Sequence, residues 1–531
     1  MTAVRILCRF LGVASLIPFA VLHALASQAE ETADAAAFDV LEFVVDGNTV
    51  LEARDIERAV YPFLGPGKTI DDVESARAAL ESAYQRSGYL TVYVDVPEQE
   101  VKGGLVRLNV TEGTVDRLRV KGARYYSLGR IRQVMPALAE GEVPYFPDVQ
   151  QQLASASRSA DRKVTPVLKA AAVPGRVDID LNVEDRSPVH GSIEINNRYT
   201  ANTDPLRLLG AIRYDNLWQR EHSASLQYLM SPEDASQVRV LTGTYVFNAG
   251  PGNNVLALYG VRSNSDVAAA GNITVVGRGT ITGARYIIPL PTKGSYSHSF
   301  TLGVDYKDLT DSLALQGADT LTTPISYVPM STQYSATQVG KRGVTQGNVS
   351  FNFAMRKIFG NQDSEFAARR FDAQANYMYV RADLSREQKL TRGYSVFVRV
   401  GGQMASQPLI SSEQYFAGGV DSVRGYLEAE ALGDDGVMGR LELRTPSFAD
   451  HLGSVVNTIT AHAFLEGAEL LLQNPLPGQQ GRTRLSSAGL GLRARGPRNL
   501  VATADLGWPF EYTRYTSAGD PRLQFRVAYD F

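Results

Sequence analysis

Arg424 stands in the run Val423-Arg424-Gly425-Tyr426, which ends a stretch rich in Gly, Ser and acidic residues. Downstream, Thr458, Thr460, His462, Phe464 and Glu466 alternate with Ile459, Ala461, Ala463 and Leu465, so a strand there carries the Glu466 carboxylate on its polar face. A guanidinium and a carboxylate shielded from water form a charge-assisted, often bidentate bond, for which arginine's planar fork suits better than lysine. Gly425 allows a tight turn beside the arginine, and Tyr426 offers a rigid ring with a polar tip. The chemistry these residues suggest is a latch. Asp505, on the polar face of a second alternating stretch, is the other candidate partner for Arg424, and Asp421 and Glu428 are local alternatives.

Little else reads as reactive. Beyond the N-terminal segment the histidines are His190, His222, His298, His451 and His462, with no pair at metal-ligand helical spacing and no cysteine to assist. There is no G-x-S-x-G elbow and no Walker-type loop. Gly489-Leu-Gly491-Leu-Arg-Ala formally fits a dinucleotide fingerprint, but it lies in an alternating strand with no following helix. Small residues on a wall that another segment approaches closely explain Gly489 and Gly491 better. The expectation is no catalytic residue, no metal and no cofactor.

Residues 1–26 carry Arg5 and Arg9, an apolar run over 10–22 and Ala24-Leu25-Ala26, the three regions of a secretory signal peptide. Cleavage is expected after Ala26, with Ala29 as the alternative, and the only cysteine, Cys8, would leave with it. The remaining chain has 51 basic against 56 acidic residues, which gives no hint of nucleic acid. No other window approaches the ~18 apolar residues of a membrane-spanning helix.

Residues 38–113 follow a β-α-α-β-β rhythm. Phe38–Gly47 reads as one strand, Leu51–Val60 as a short helix, and Thr69 caps a second helix with Val73, Ala76, Leu80 and Tyr84 on one face. Residues 114–186 repeat it, with V-D-R-L-R-V-K-G ending at Gly122 as L-E-F-V-V-D-G ends at Gly47. Order and tandem placement resemble POTRA domains, periplasmic modules that receive unfolded clients. Residues 187–531 then alternate polar and apolar in about sixteen segments separated by turn residues, the trace of a transmembrane β-barrel. The final one places Leu523, Phe525, Val527, Tyr529 and Phe531 on one face and Arg522, Gln524, Arg526 and Asp530 on the other. The fold class is therefore mostly β: two small α+β units and a 16-stranded antiparallel barrel, with a loop around 406–433 folded inward.

G-G-V-D-S-V-R-G-Y at 418–426, V-M-G-R-L-E-L-R-T-P at 437–446, F-L-E-G at 464–467 and L-S-S-A-G-L-G-L-R at 485–493 resemble the two-partner-secretion outer-membrane transporters (TpsB). The resemblance covers the chain beyond the signal. It implies that Val423, Arg424, Gly425 and Tyr426 form a loop motif reaching into the lumen, where the arginine meets the acid of an F-x-D-x-G-like motif. Here that motif is Phe464, Glu466 and Gly467, a departure in which glutamate replaces aspartate and the glycine follows directly. The resemblance further implies a secreted partner protein, bound unfolded in the periplasm and threaded through a barrel set in outer-membrane lipid. Tyr529 and Phe531 would be read by the barrel-assembly machinery, and the protein would be a monomer. Candidate edges for capturing the client are 90–96 and 163–171. The eleven residues 27–37 are too few for a separate plug helix, which leaves the Arg424 loop as the expected sole obstruction. The alternatives are an insertase for outer-membrane proteins and a general diffusion pore.

Overall fold

The computed structural model describes residues 37–201, 203–250, 253–265, 267–270, 273–314, 320–358, 361–449 and 456–531. The signal-peptide reading with Cys8 and Ala26, all but the last residue of 27–37, and His451 lie outside them.

In the first α+β unit, Glu42–Asp46 runs parallel to Leu105–Glu112, which pairs antiparallel with Val92–Asp95. Helices Ala53–Val60 and Ile70–Arg86 pack on this sheet, with Leu80 and Tyr84 meeting Val92, Val94, Leu108 and Val110 in one buried cluster. The second helix starts where it does because the Thr69 main-chain N–H donates to the Asp72 carboxylate at 2.9 Å, satisfying a donor that helix geometry leaves free. That bond holds the Asp72 carboxyl below its usual range. The structure corrects the reading of Phe38–Gly47 as one strand. Phe38–Val40 pairs instead with Gly65–Lys68, and the chain changes partner at Leu41, which is exposed. Gly65-Pro-Gly-Lys reads as a turn by composition and gives no strand signal.

The second unit orders its strands Thr114–Lys121, Arg176–Asp185 and Arg162–Ala170, with helices Leu128–Gln133 and Phe146–Ala156 between the first and last of these in sequence. The repeat has a physical counterpart. Gly47 and Gly122 adopt φ of +87° and +89°, and a Cβ on them would lie 2.3 Å from the Val110 carbonyl oxygen and 2.5 Å from that of Val183. Each unit thus needs glycine at the same turn for the same two reasons, handedness and a strand backbone pressed against it.

Residues 189–530 form a closed sixteen-stranded antiparallel barrel. Its eighth strand is interrupted, running as Thr320–Tyr327 and Pro329–Gly340. The last strand, Arg522–Asp530, closes on the first, Val189–Asn196. Val267–Ala270 and Ile273–Val276 pair in a hairpin outside this sheet. Leu384, Val398, Val400, Leu441, Leu443, Leu465 and Leu490 are exposed on the outer wall, while Glu442, Glu466 and Gln524 are buried on the inner one. A water-soluble sheet would bury the first set and expose the second; this inversion is that of a barrel in lipid.

Gly47→Ala and Gly122→Ala should each destabilise their own unit by roughly 1–3 kcal/mol. Limited proteolysis should then cut within 38–113 for the first and within 114–186 for the second, with the barrel intact in both.

Candidate functional site: the Arg424 cluster

Residues 406–434 join Ser395–Ala405 to Asp435–Arg444 and fold back against the inner wall. Val423 and Tyr426 have no exposed surface, packing with Tyr415, Met438, Leu470 and Leu485. The Tyr426 hydroxyl lies 3.1 Å from the carbonyls of Ser486 and Glu511 and accepts the Glu511 N–H at 3.0 Å. Gly425 adopts φ of +92° with the wall backbone at Gly507 beside it, so no other residue fits.

Arg424 is 1% exposed. Glu466 takes its main-chain N–H on Oε2 at 2.7 Å and, on Oε1, its Nε at 3.0 Å and Nη2 at 2.6 Å. Nη2 also donates to Glu442 at 2.7 Å, and Nη1 to Asp505 at 3.1 Å. The guanidinium carbon lies 3.6 Å from the centre of the Phe464 ring, a cation–π contact on its remaining face. His462 Nε2 lies 2.6 Å from Asp505 Oδ1 and 3.2 Å from Arg424 Nη1, so the ring bridges the two charged groups. Arg440, Arg444 and Arg493 complete the charge balance around Glu466 and Glu442.

The barrel wall makes room for this. A Cβ on Gly489 would lie 2.1 Å from the Phe464 ring, one on Gly491 2.1 Å from Asp505 Oδ1, and one on Gly507 2.7 Å from the Gly425 nitrogen. The alternation that assigns Glu466 and Asp505 inward matches their placement, and Arg424 takes both rather than choosing. Glutamate's extra methylene lets one carboxylate hold the loop backbone and the guanidinium together. Gly467 points away from the cluster, on the opposite face from Glu466, and contributes no contact to Arg424. Asp421 and Glu428 pair with Arg198 instead of Arg424. Glu442 and Gly507 were missed as site residues: Glu442 was legible only as one charge on an alternating strand, and Gly507 had no signal beyond its small size.

The loop is also not the sole packed element at its end of the barrel. Phe366, from the helix Asp363–Arg369, joins Tyr327, Tyr377, Leu409 and Ile410 in a buried cluster over the loop's first part. Within it Glu413 accepts from Tyr327 at 2.6 Å, Tyr379 at 2.9 Å and Lys307 at 2.6 Å. At the chain's end, Phe531 exchanges both main-chain hydrogen bonds with Gly191 at 2.9 Å and lays its ring over it, while Tyr529 pairs with Ile193 on the outer wall. Elsewhere Asp161, His190 and Asp215 bring three potential ligand atoms together. Arg213 and Ser223 already occupy Asp215 and His190 already bonds Asp161, so the group is satisfied as an ion-pair network.

Tandem α+β units ahead of a closed barrel, with a loop ionically pinned to its inner wall, define an outer-membrane transporter of the POTRA-and-barrel class. Residues 38–113 match the POTRA domain of ShlB type, and residues 175–494 match the family described as haemolysin secretion/activation protein ShlB/FhaC/HecB. The chain belongs to that family, whose members are two-partner-secretion transporters of the outer membrane and not enzymes. It is 22% identical to the outer membrane transporter CdiB of Dickeya dadantii over 93% of this chain and 87% of that protein. In structure it is similar to CdiB from Escherichia coli, with a TM-score of 0.61, 21% identity and coverage of 95% of this chain and 92% of the other. BamA from Haemophilus ducreyi, solved without its first three POTRA domains, matches at TM-score 0.56 and 13% identity over 93% and 100%, so the fold is shared with that protein too.

Arg424→Lys keeps the charge but cannot span three carboxylates, and Arg424→Ala removes the loop's bonds to all three at a cost of roughly 1.5–3 kcal/mol, the acids keeping their wall partners. Protease added outside whole cells should cut the 406–434 loop in both variants, faster in the alanine one. Gly491→Val should expose the same loop by displacing His462 and Asp505.

Proposed function

We propose that this protein captures an unfolded secreted partner protein in the periplasm with its two α+β units, 38–113 and 114–186, and passes it through the barrel lumen to the cell surface. The Arg424 loop acts as a latch that yields as the client enters. The observation that carries this reading is the burial of Arg424 among Glu466, Glu442 and Asp505. These charges are neutralised within the cluster while the loop is docked; when it leaves, the acids keep Arg440, Arg444, Arg493 and His462 as wall partners and become hydratable. Such a site resists spontaneous opening yet has polar partners for water or a passing chain. The edge strands Val92–Asp95 and Arg162–Ala170 support client capture by strand addition, where main-chain hydrogen bonds give affinity with little sequence demand. Folding of the client outside supplies direction, since nothing in the chain reads as a nucleotide site. Phe531 and Tyr529 serve as the end that the barrel-assembly machinery reads, and the transporter works as a monomer.

Secreted and surface proteins are compared among cells with the wild-type gene, its deletion and Arg424→Ala. Loss of one or a few large proteins in the deletion and their reduction in Arg424→Ala, with other outer-membrane barrels at normal levels, is the expected outcome. A general fall in barrel proteins would instead identify an insertase, and a change confined to small-solute uptake would identify a pore.

A further inference from the structure

The ladder between the sixteenth and first strands is the shortest in the barrel among the described residues, running only from Arg526 opposite Asn196 to Asp530 opposite Ser192. Backbone groups along such a seam have fewer neighbours to share the cost of opening, so local separation is easiest there. Below it, the Phe531–Gly191 exchange adds two bonds. Above it the Asn197 N–H makes one more main-chain bond, to the Phe525 carbonyl at 3.3 Å, and its side chain adds to it. Asn197 Oδ1 accepts the Phe525 N–H at 2.7 Å, and its Nδ2 donates to the Leu523 carbonyl at 2.8 Å. A primary amide offers the same donor and acceptor as a peptide group, so Asn197 supplies the last rung and ends the ladder.

The next residues reach the loop. Arg198 Nη2 lies 2.5 Å from Asp421 and its Nε 3.2 Å from Glu428, while the Tyr199 carbonyl accepts the Glu428 N–H at 3.0 Å. From the other side of the seam, Gln524 accepts the Gly425 N–H and donates to the Tyr426 carbonyl, both at 3.2 Å. Arg522 donates from Nε to the Gly425 carbonyl at 3.2 Å and from Nη1 to the Tyr199 hydroxyl at 2.5 Å. Residues 425–428 therefore lie across the junction, bonded to the last strand on one side and to the exit of the first strand on the other.

We infer that the loop is a clasp over the barrel seam, with Asn197 and Arg198 as positioning residues that couple the two. Displacing the loop loosens the first and sixteenth strands, and loosening that junction frees the loop. The coupling stands on these bonds alone; only the need for displacement rests on the transport reading above. Two charged contacts from one guanidinium make Arg198 the strongest link on the first-strand side, and its loss removes the ion pairs it makes with Asp421 and Glu428.

The test is amide hydrogen exchange on the purified full-length protein, which needs no client and does not depend on secretion. Arg198→Ala should speed exchange about tenfold in both 420–428 and Val189–Asn196, the size expected for one charge-assisted bond, while Ser395–Ala405 is unchanged. Arg198→Lys should fall between that variant and the wild type. Faster exchange in the loop without any in the seam would overturn the clasp. A second arm joins Ile195→Cys to Val527→Cys, which face each other across the seam. Oxidation of that pair should slow exchange in 420–428 and reduction should restore it; a loop indifferent to the disulfide would equally overturn the coupling.

Discussion

A guanidinium inside a protein needs an acceptor for its donors, and the Arg424 cluster supplies them as three carboxylates. One residue brought in by a loop satisfies acids from three different wall strands, and its own backbone N–H is held by one of them. Desolvating this many charges costs more than a typical apolar contact returns, so such a cluster is poor as a source of stability. When the arginine leaves, Glu466 keeps Arg440, Glu442 keeps Arg444 and Arg493, and Asp505 keeps His462, so the wall it vacates is hydrophilic and still paired. The proposed latch needs a wall of this kind.

Much of the wall exists to accommodate that one side chain. Gly489, Gly491 and Gly507 are small because Phe464, Asp505 and the Gly425 backbone occupy the space a Cβ would take. Phe464 and His462 shield the guanidinium from the side that carries no carboxylate. The buried cluster around Phe366 and Glu413 then holds the first part of the same loop, combining apolar packing with the Lys307–Glu413 ion pair, while Arg424 holds its later part by ion pairing.

The legible parts of this structure were those where a period or a charge has one interpretation. Alternation placed Glu466 and Asp505 on the inner wall because a strand leaves a side chain only two directions. The repeat was visible through Gly47 and Gly122, whose backbone angle no other residue takes comfortably. The pairing of Phe38–Val40 with Gly65–Lys68 was hidden, since a Gly-Pro-Gly run signals a turn and only tertiary context makes it a strand. Which of several inward acids Arg424 would meet was also hidden, because loop conformation decides it and alternation does not. Asp421 and Glu428 are closest in sequence yet turn toward Arg198, whose own role depends on where the barrel closes.

If the loop pinned by Arg424 obstructs the lumen, freeing it opens a path for ions. The most direct measurement is single-channel conductance of the purified protein in a planar bilayer, comparing wild type with Arg424→Ala. A larger or more frequent open level in the variant, with the barrel still folded, is the expected result. Conductance no higher than wild type would show that the loop does not close the lumen and return Arg424 to a purely structural role.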